Sequence, residues 1–381
     1  MRIGILTGGG DVPGLNPAIK AFVKGVGEAG HSVVGLRRGW GAFVKIDPYD
    51  AASVANHTLE LDWLAVRTID RTGGTILHSS RTNPGRVSGQ AFPAFLARPE
   101  SEPPYDLTDH AVRVVEALGL DALVAIGGDD TLSYALRMHE EGVPVVAIPK
   151  TMDNDVPGTE YCIGFSTAVT RSVGFVTNLR TAVGSHERVA VVELFGRYSG
   201  ATALLTGYLA SADRTLIAEV PFDIERLVDM VMADRSANPS RYAVVVVSEG
   251  ASLLGGDRVE SGEADAYGHR KLGGIGEITG DFIKRMTGVG IMNQKVAYLM
   301  RSGPPDIVDL MVGFNYGTMA AELLLSEVSG RMVALQGGVY TTEHLSVLAQ
   351  GARTVDVDSF YDVENYRPDV RALDGKPMFL Y

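Results

Sequence analysis

Two short apolar runs follow one another in this chain, and each ends in an acidic turn. Ala122 to Ile126 leads into Gly127-Gly128-Asp129-Asp130-Thr131. A helix-like stretch follows, Thr131 to Glu141, and then Val143 to Ile148 leads into Pro149-Lys150-Thr151-Met152-Asp153-Asn154-Asp155. Short continuous apolar runs of this kind read as strands buried on both faces. In an open parallel sheet both turns emerge at the same carboxyl edge, where such sheets bind ligands. Four carboxylates (Asp129, Asp130, Asp153, Asp155) and Lys150 would then share one crevice. That is more charge than a structural turn needs. It suits a metal ion, a phosphate chain and a proton transfer.

The alternation extends in both directions. Ile3 to Thr7 is a strand ending in Gly8-Gly9-Gly10-Asp11-Val12-Pro13-Gly14-Leu15-Asn16, and a helix begins near Pro17. A glycine turn opening a helix presents backbone N–H groups to an anion. The spacing Gly25-Val26-Gly27-Glu28-Ala29-Gly30 matches a dinucleotide fingerprint, but it lies at a helix end with no strand before it and reads as a C-cap. Trp40 is either core or a wall of the donor site. Residues 83–109 read as a long loop. Helices are expected at Asp109 to Leu118, Phe165 to Val183, Ile224 to Met232, Gly274 to Met286 and Pro304 to Val328. Strands are expected at Arg188 to Leu194, Leu216 to Val220, Tyr242 to Val247 and Met332 to Leu335, and Ser252 to His269 reads as a mobile loop. The expected fold is α/β, two Rossmann-like three-layer lobes with mainly parallel sheets. One lobe takes residues 1–159 with about 299–345, the other 160–298, and 346–381 is a C-terminal extension packed on the surface.

Charge and cysteine narrow the function. Lys and Arg number 34 and Asp and Glu 46, for a net charge of −12, which argues against nucleic acid and anionic membrane as partners. An anion site on such a body has to be a local basic pocket. Cys162 is the only cysteine, so no intrachain disulfide forms and a reducing, cytoplasmic setting is expected. No apolar run is long enough to span a bilayer.

Phosphoryl transfer needs a metal on the donor phosphates, cations on the moving group and a base for the acceptor hydroxyl. Asp129 is a candidate Mg²⁺ partner, since that ion keeps several waters and few carboxylates. Asp153 is a candidate base, and Asp155 either repels it or helps to hold the metal. Arg197, in Phe195-Gly196-Arg197, is placed to stabilise charge on the moving group. No Walker A pattern occurs. An Asp after a strand is more often a helix cap than a catalyst; here several successive strand ends carry such groups.

Taken together these residues resemble the phosphofructokinases, which phosphorylate the 1-hydroxyl of fructose 6-phosphate. The resemblance covers about residues 1–325. It rests on Gly9-Gly10-Asp11-Val12-Pro13-Gly14-Leu15-Asn16, Gly127-Gly128-Asp129, Thr151-Met152-Asp153-Asn154-Asp155, and Ser185-His186-Glu187-Arg188 followed by Gly196-Arg197. It implies that Gly10, Arg81 and Gly128 meet the donor phosphates, Asp129 the metal, and that Asp153, Thr151 and Arg197 form the transfer site. Thr151, Asp155, Phe195, Gly196, Arg197, Glu249 and Arg301 would face the sugar phosphate, with Lys295 as a possible substitute for an upstream arginine. Arg188 matches an arginine that completes a neighbouring subunit's site, which implies a homodimer or homotetramer.

In the family, glycines at the positions of Asp130 and Lys150 go with ATP, and an acidic residue with lysine goes with pyrophosphate. This chain has the second pair. Asp130 fills the space of an α-phosphate with bulk and like charge; two charges ~4 Å apart at an effective dielectric of ~20 repel by about 4 kcal/mol. The resemblance therefore implies a reversible, pyrophosphate-dependent 6-phosphofructokinase with Mg²⁺ as cofactor. The alternatives are an ATP-dependent one, or a kinase of another ketose phosphate such as sedoheptulose 7-phosphate. Phe195-Gly196-Arg197 stands where Met-Gly-Arg is usual, and Met300-Arg301-Ser302-Gly303 where Gln-Arg-Gly-Gly is usual. Lys20 and Lys24 stand where allosteric members carry arginines, though at helix spacing a solvated face is favoured. An NAD kinase shares the Gly-Gly-Asp turn but leaves Thr151 to Asp155, Arg188 and Arg197 unexplained. A non-catalytic sugar-phosphate sensor would have no need of Asp153.

Overall fold

The computed structural model describes residues 1–261 and 271–369. The strands in chain order are β1 (Arg2–Thr7), β2 (Ser32–Leu36), β3 (Thr58–Leu61), β4 (Ala122–Gly127), β5 (Val145–Pro149), β6 (Val189–Leu194), β7 (Arg214–Leu216), β8 (Ala243–Ser248), β9 (Glu260–Ser261), β10 (Lys271–Leu272), β11 (Ile291–Lys295), β12 (Arg331–Gln336), β13 (Val339–His344), β14 (Tyr361–Asp362) and β15 (Arg367–Pro368). The larger sheet has the order β13-β12-β5-β4-β1-β2-β3. It is parallel except for an antiparallel strand at each edge, β13 and β3. The smaller sheet, β11-β6-β8-β7, is parallel throughout. The α/β expectation holds.

β4, β6 and β8 are buried at every position, as parallel strands covered on both faces by helices must be. The helices are α1 (Leu15–Glu28), α2 (Gly41–Lys45), α3 (Ala51–His57), α4 (Trp63–Val66), α5 (Thr108–Ala117), α6 (Asp129–Glu140), α7 (Phe165–Ser185), α8 (Ala201–Leu209), α9 (Ile224–Ala237), α10 (Ile275–Thr287), α11 (Ile307–Leu325) and α12 (Val357–Phe360). Among the described residues no helix is long and apolar enough to cross a membrane. In the larger sheet the chain winds outward from β1 in one direction and from β4 in the other, so β1 and β4 flank the switch point. That crevice is where ligands of open α/β sheets bind.

Several local expectations shift. α1 starts at Leu15 because Gly14, at φ 109°, turns the chain into the helix, leaving Pro17 inside the first turn. The strand expected over Leu216 to Val220 lies at Arg214–Leu216. β13, whose half-buried residues are largely polar, was not anticipated. Trp40 is core: it is buried against Phe43 and Tyr134, and its indole N–H donates to the Thr131 carbonyl at 2.9 Å. Lys20 is not simply solvated, since it is tied to Asp70 at 2.7 Å, whereas Lys24 is exposed beside Glu28. The C-terminal segment does not lie only on the surface, because Leu348, Tyr361 and Tyr366 are buried. Residues 262–269 of the expected loop, with 270 after it, and 370–381 of the extension fall outside the described residues.

Candidate active site

The donor side is built at the switch point. β1 leads into Gly8-Gly9-Gly10, and a Cβ on Gly10 would displace the Arg301 guanidinium that packs over it. Arg301 donates to the Asp11 carbonyl at 2.9 Å and pairs with the Asp11 carboxylate at 3.0 Å. Beside this turn, α6 starts at Asp129, so Asp129 and Asp130 occupy the first turn, at the positive end of the helix dipole. Lys150 leaves the end of β5, is buried, and donates to the Gly10 carbonyl at 2.6 Å. Burial, with Arg301 near it, brings its ammonium down to about 8.

The second acidic turn hangs from β5. The Asp153 N–H donates to the Thr151 hydroxyl at 3.2 Å. Asn154, at φ 54°, clamps the turn: its amide donates to the Glu160 carbonyl at 2.9 Å, and its oxygen accepts from the Cys162 N–H at 2.8 Å. One Asp153 carboxylate oxygen accepts from the Arg197 backbone N–H at 3.3 Å; the other is buried and has no hydrogen-bond partner. Burial raises the Asp153 carboxyl above the usual range, with Glu249 adding to it. Asp155 is raised as well, by burial first and by Asp153 second.

The smaller sheet supplies the facing wall. β6 ends in the Phe195–Gly200 turn, where Gly196, at φ 143°, has its carbonyl held by the Ser248 hydroxyl at 2.7 Å. Glu249, after β8, is pushed up to about 7 by burial, with Lys295 and Arg197 opposing the shift. Lys295 pairs with Glu193 at 2.6 Å. Glu193 also accepts from the Gly274 and Gly276 N–H groups at 2.9 Å, at the start of α10.

These elements enclose one cavity of about 920 Å³ between the two sheets. Of the expected residues it brings together Gly10, Arg81, Gly128, Asp129, Asp130, Lys150, Thr151, Asp153, Asp155, Phe195, Arg197, Glu249, Lys295 and Arg301. Two stand outside its lining. Gly196 lies behind it, because its carbonyl is taken by Ser248. Arg188 precedes β6, whose other end reaches the cavity, and packs beneath Gly290. Arg301, expected at the sugar phosphate, is held on the donor turn and also borders an adjoining cavity of about 680 Å³.

Sequence reasoning missed Glu193, Tyr298 and Ala352. Glu193 had a signal, an acid inside the apolar run Val189-Ala190-Val191-Val192-Glu193-Leu194. Tyr298 packs edge-on to Phe195 at 5.7 Å and under Arg301 at 4.9 Å. It had no signal, and neither did Ala352, which reaches the cavity only through the C-terminal segment. Chemically, the arrangement offers a buried carboxylate with a spare oxygen, buried and exposed cations, and a helix N-terminus converging on one space.

The family model described as Phosphofructokinase matches residues 2–324. The chain is 36% identical to a pyrophosphate--fructose 6-phosphate 1-phosphotransferase of Dictyoglomus thermophilum, over 95% of this chain and 97% of that one. It is also 36% identical to an ATP-dependent 6-phosphofructokinase of Chloroflexus aggregans, over 88% and 87%. Among solved structures, a pyrophosphate-dependent phosphofructokinase from Marinobacter aquaeolei superposes with a TM-score of 0.76 at 18% identity, covering 97% of this chain and 89% of that one.

Proposed function

The chain belongs to the phosphofructokinase family, and from that premise we propose that it catalyses reversible, pyrophosphate-dependent phosphorylation of fructose 6-phosphate to fructose 1,6-bisphosphate. Relatives named for either donor are about equally similar, so the donor is argued from the site. The observation that carries it is Lys150, buried and bonded to the Gly10 carbonyl at 2.6 Å, with Asp130 lining the same cavity. The lysine brings a cation to a compact, highly charged donor. The aspartate takes the room and adds the like charge that would exclude an α-phosphate.

In this reading the sugar 1-hydroxyl gives its proton to Asp153 as its oxygen attacks the near phosphorus of pyrophosphate. The bond from that phosphorus to the bridging oxygen breaks, and phosphate leaves. Arg197 and Lys150 stabilise the charge on the moving and leaving groups, and Thr151 orders the turn through the Asp153 N–H. Among the described residues no group of three or more His, Cys, Asp or Glu is arranged to hold a metal. That donor set fits Mg²⁺ carried in by pyrophosphate, an ion that takes one or two carboxylates plus phosphate and water. Asp129 would hold it, and it would neutralise phosphate charge. Arg188, remote from this cavity, would serve the site of a neighbouring copy in a homo-oligomer. A second reading, a longer ketose phosphate such as sedoheptulose 7-phosphate as acceptor, is favoured by Lys295 being tied to Glu193 and not left for the sugar phosphate.

A matrix of pyrophosphate and ATP against the two sugar phosphates, with Mg²⁺, tests this. Turnover is expected with pyrophosphate and fructose 6-phosphate. A strong preference for ATP sinks the donor argument, and a preference for the seven-carbon sugar replaces the acceptor.

A further inference from the structure

Beyond β13 the chain crosses from one sheet to the other along the cavity. Its 3-10 helix, Leu345–Gln350, buries Leu345 and Leu348 in the core that also holds Leu132, Ala135 and Met138 of α6. Its far end buries Tyr361 and Tyr366 in the core of the smaller sheet. There the Tyr366 carbonyl accepts from the Thr215 N–H at 2.8 Å. Between these anchors Ala352 lines the cavity. The Arg353 N–H donates to the Asp155 carbonyl at 2.7 Å. Its guanidinium donates to the carbonyls of Thr159 at 3.3 Å and Glu160 at 3.0 Å. Two residues on, the Val355 N–H donates to the Glu219 carboxylate at 2.8 Å. That carboxylate also accepts from the Gly200 N–H at 2.9 and 3.0 Å. Gly200 closes the turn that carries Arg197. A stretch of a few residues, outside the 2–324 matched by the family model, therefore grips both turns of the transfer site.

We propose that Arg353 is a positioning residue for phosphoryl transfer, fixing the turn that carries Asp153 and Asp155 and, through Val355 and Glu219, its spacing from the turn that carries Arg197. The two turns already touch at the reacting point, where Asp153 meets the Arg197 N–H at 3.3 Å. One guanidinium nitrogen, Nη1, donates to both successive carbonyls, and with the Arg353 N–H on Asp155 it holds this backbone at three points. The inference rests on the proposed function only in taking Asp153 and Arg197 as the reacting groups.

The test uses Arg353→Ala and Arg353→Lys in the full chain, with whichever donor the wild type prefers. Arg353→Ala is expected to lower kcat by about 10- to 100-fold, the scale of a displacement of ~1 Å, with KM for the donor nearly unchanged. Water reaching a loosened Asp153 turn relieves the burial that raises its carboxyl, so the acid limb of the kcat–pH profile moves to lower pH. Hydrogen–deuterium exchange over 151–163 becomes faster. Arg353→Lys, which keeps a cationic donor on a shorter stem, recovers part of each effect. Unchanged kcat and acid limb in a folded variant overturn the proposal. So does a pair of variants that do not fold, since the arginine is then a folding element. A wild type inactive with both donors refutes the proposed function instead, and the exchange measurement still decides the role of Arg353.

Discussion

On the proposed function, Asp153 as base carries opposing demands that its surroundings make measurable. A base must be ionised to work, yet burial holds this carboxyl and that of Asp155 above the usual carboxylate range. On the same reading Lys150 must stay charged to hold a phosphate, yet burial lowers it to about 8. The profile of kcat/KM against pH in the free enzyme should therefore be a narrow bell. Its acid limb lies on the neutral side of the ordinary carboxylate range, and its alkaline limb lies near pH 8. Asp153→Asn should cost about 10²- to 10⁴-fold in kcat, the usual yield of a positioned base. The same change should raise stability. A carboxyl raised in the folded state contributes stability below its unfolded pKa and loses it as pH rises through the folded value. The gain in Tm for Asp153→Asn should thus be larger at pH 8 than at pH 5, and an equal gain at both pH values would contradict the burial argument. At the neighbouring pair, Asp130→Gly with Lys150→Gly should weaken use of pyrophosphate and remove the alkaline limb. If pyrophosphate kinetics survive the double change, these side chains do not select the donor. The acidic residues were legible because each follows a continuous apolar run. Arg353 was not, because its partners lie far away in sequence and no local period marks it, whereas Glu193 stood out only as an acid inside an apolar run.

At the level of elements, the site depends on how α11 holds α1 and α7. α11 lies against α1 with almost no space between the backbones: a Cβ on Gly317 would meet the Ala18 carbonyl oxygen. Two turns earlier, Asp309 is buried and accepts from the Gly164 N–H at 2.7 Å and the Thr167 N–H at 2.8 Å, so α11 caps the start of α7. Tyr161 donates to the same carboxylate at 2.8 Å. One helix therefore fixes both the glycine turn that opens α1 and the return segment on which the Asp153 turn is clamped. Gly317→Ala should force the two helices apart and destabilise the fold by about 1–3 kcal/mol, the ordinary cost of overpacking. Because the glycine turn proposed to meet the donor leads into α1, KM for pyrophosphate, if that is the donor, should rise more than kcat falls. Denaturant melts and steady-state kinetics on the one variant check both parts. A stable variant with native KM would show that the contact has slack. The helices α7, α10 and α11 were legible from their apolar faces to within a few residues. The caps that join them were not, since Asp309 reads locally as one more polar residue of a helix first turn.

For the whole molecule, the alternation of strand and helix was enough to indicate parallel sheets and a cleft, because continuous apolar strands have to be covered on both faces. It did not reveal that residues 345–369 tie the two sheets together, since that segment is short-range irregular and its anchors, Leu348, Tyr361 and Tyr366, follow no period. The cavity takes its cations from both sides of the cleft, Lys150 and Arg81 from the larger sheet and Arg197 and Lys295 from the smaller. The body around it has a net charge of −12, so these cations form a local basic wall beside the carboxylates of the two acidic turns. On the proposed function, a metal arriving on pyrophosphate would stabilise the fold only when pyrophosphate is present. Mg²⁺ alone at millimolar concentration should leave Tm almost unchanged. Mg²⁺ with pyrophosphate at a hundred times its dissociation constant should add about 2.7 kcal/mol, and chelation should cancel most of that gain and abolish transfer. A large rise in Tm with Mg²⁺ alone would mean that the carboxylates of the two acidic turns already form a resident metal site, and Asp129 and Asp155 would then have to act as a pair.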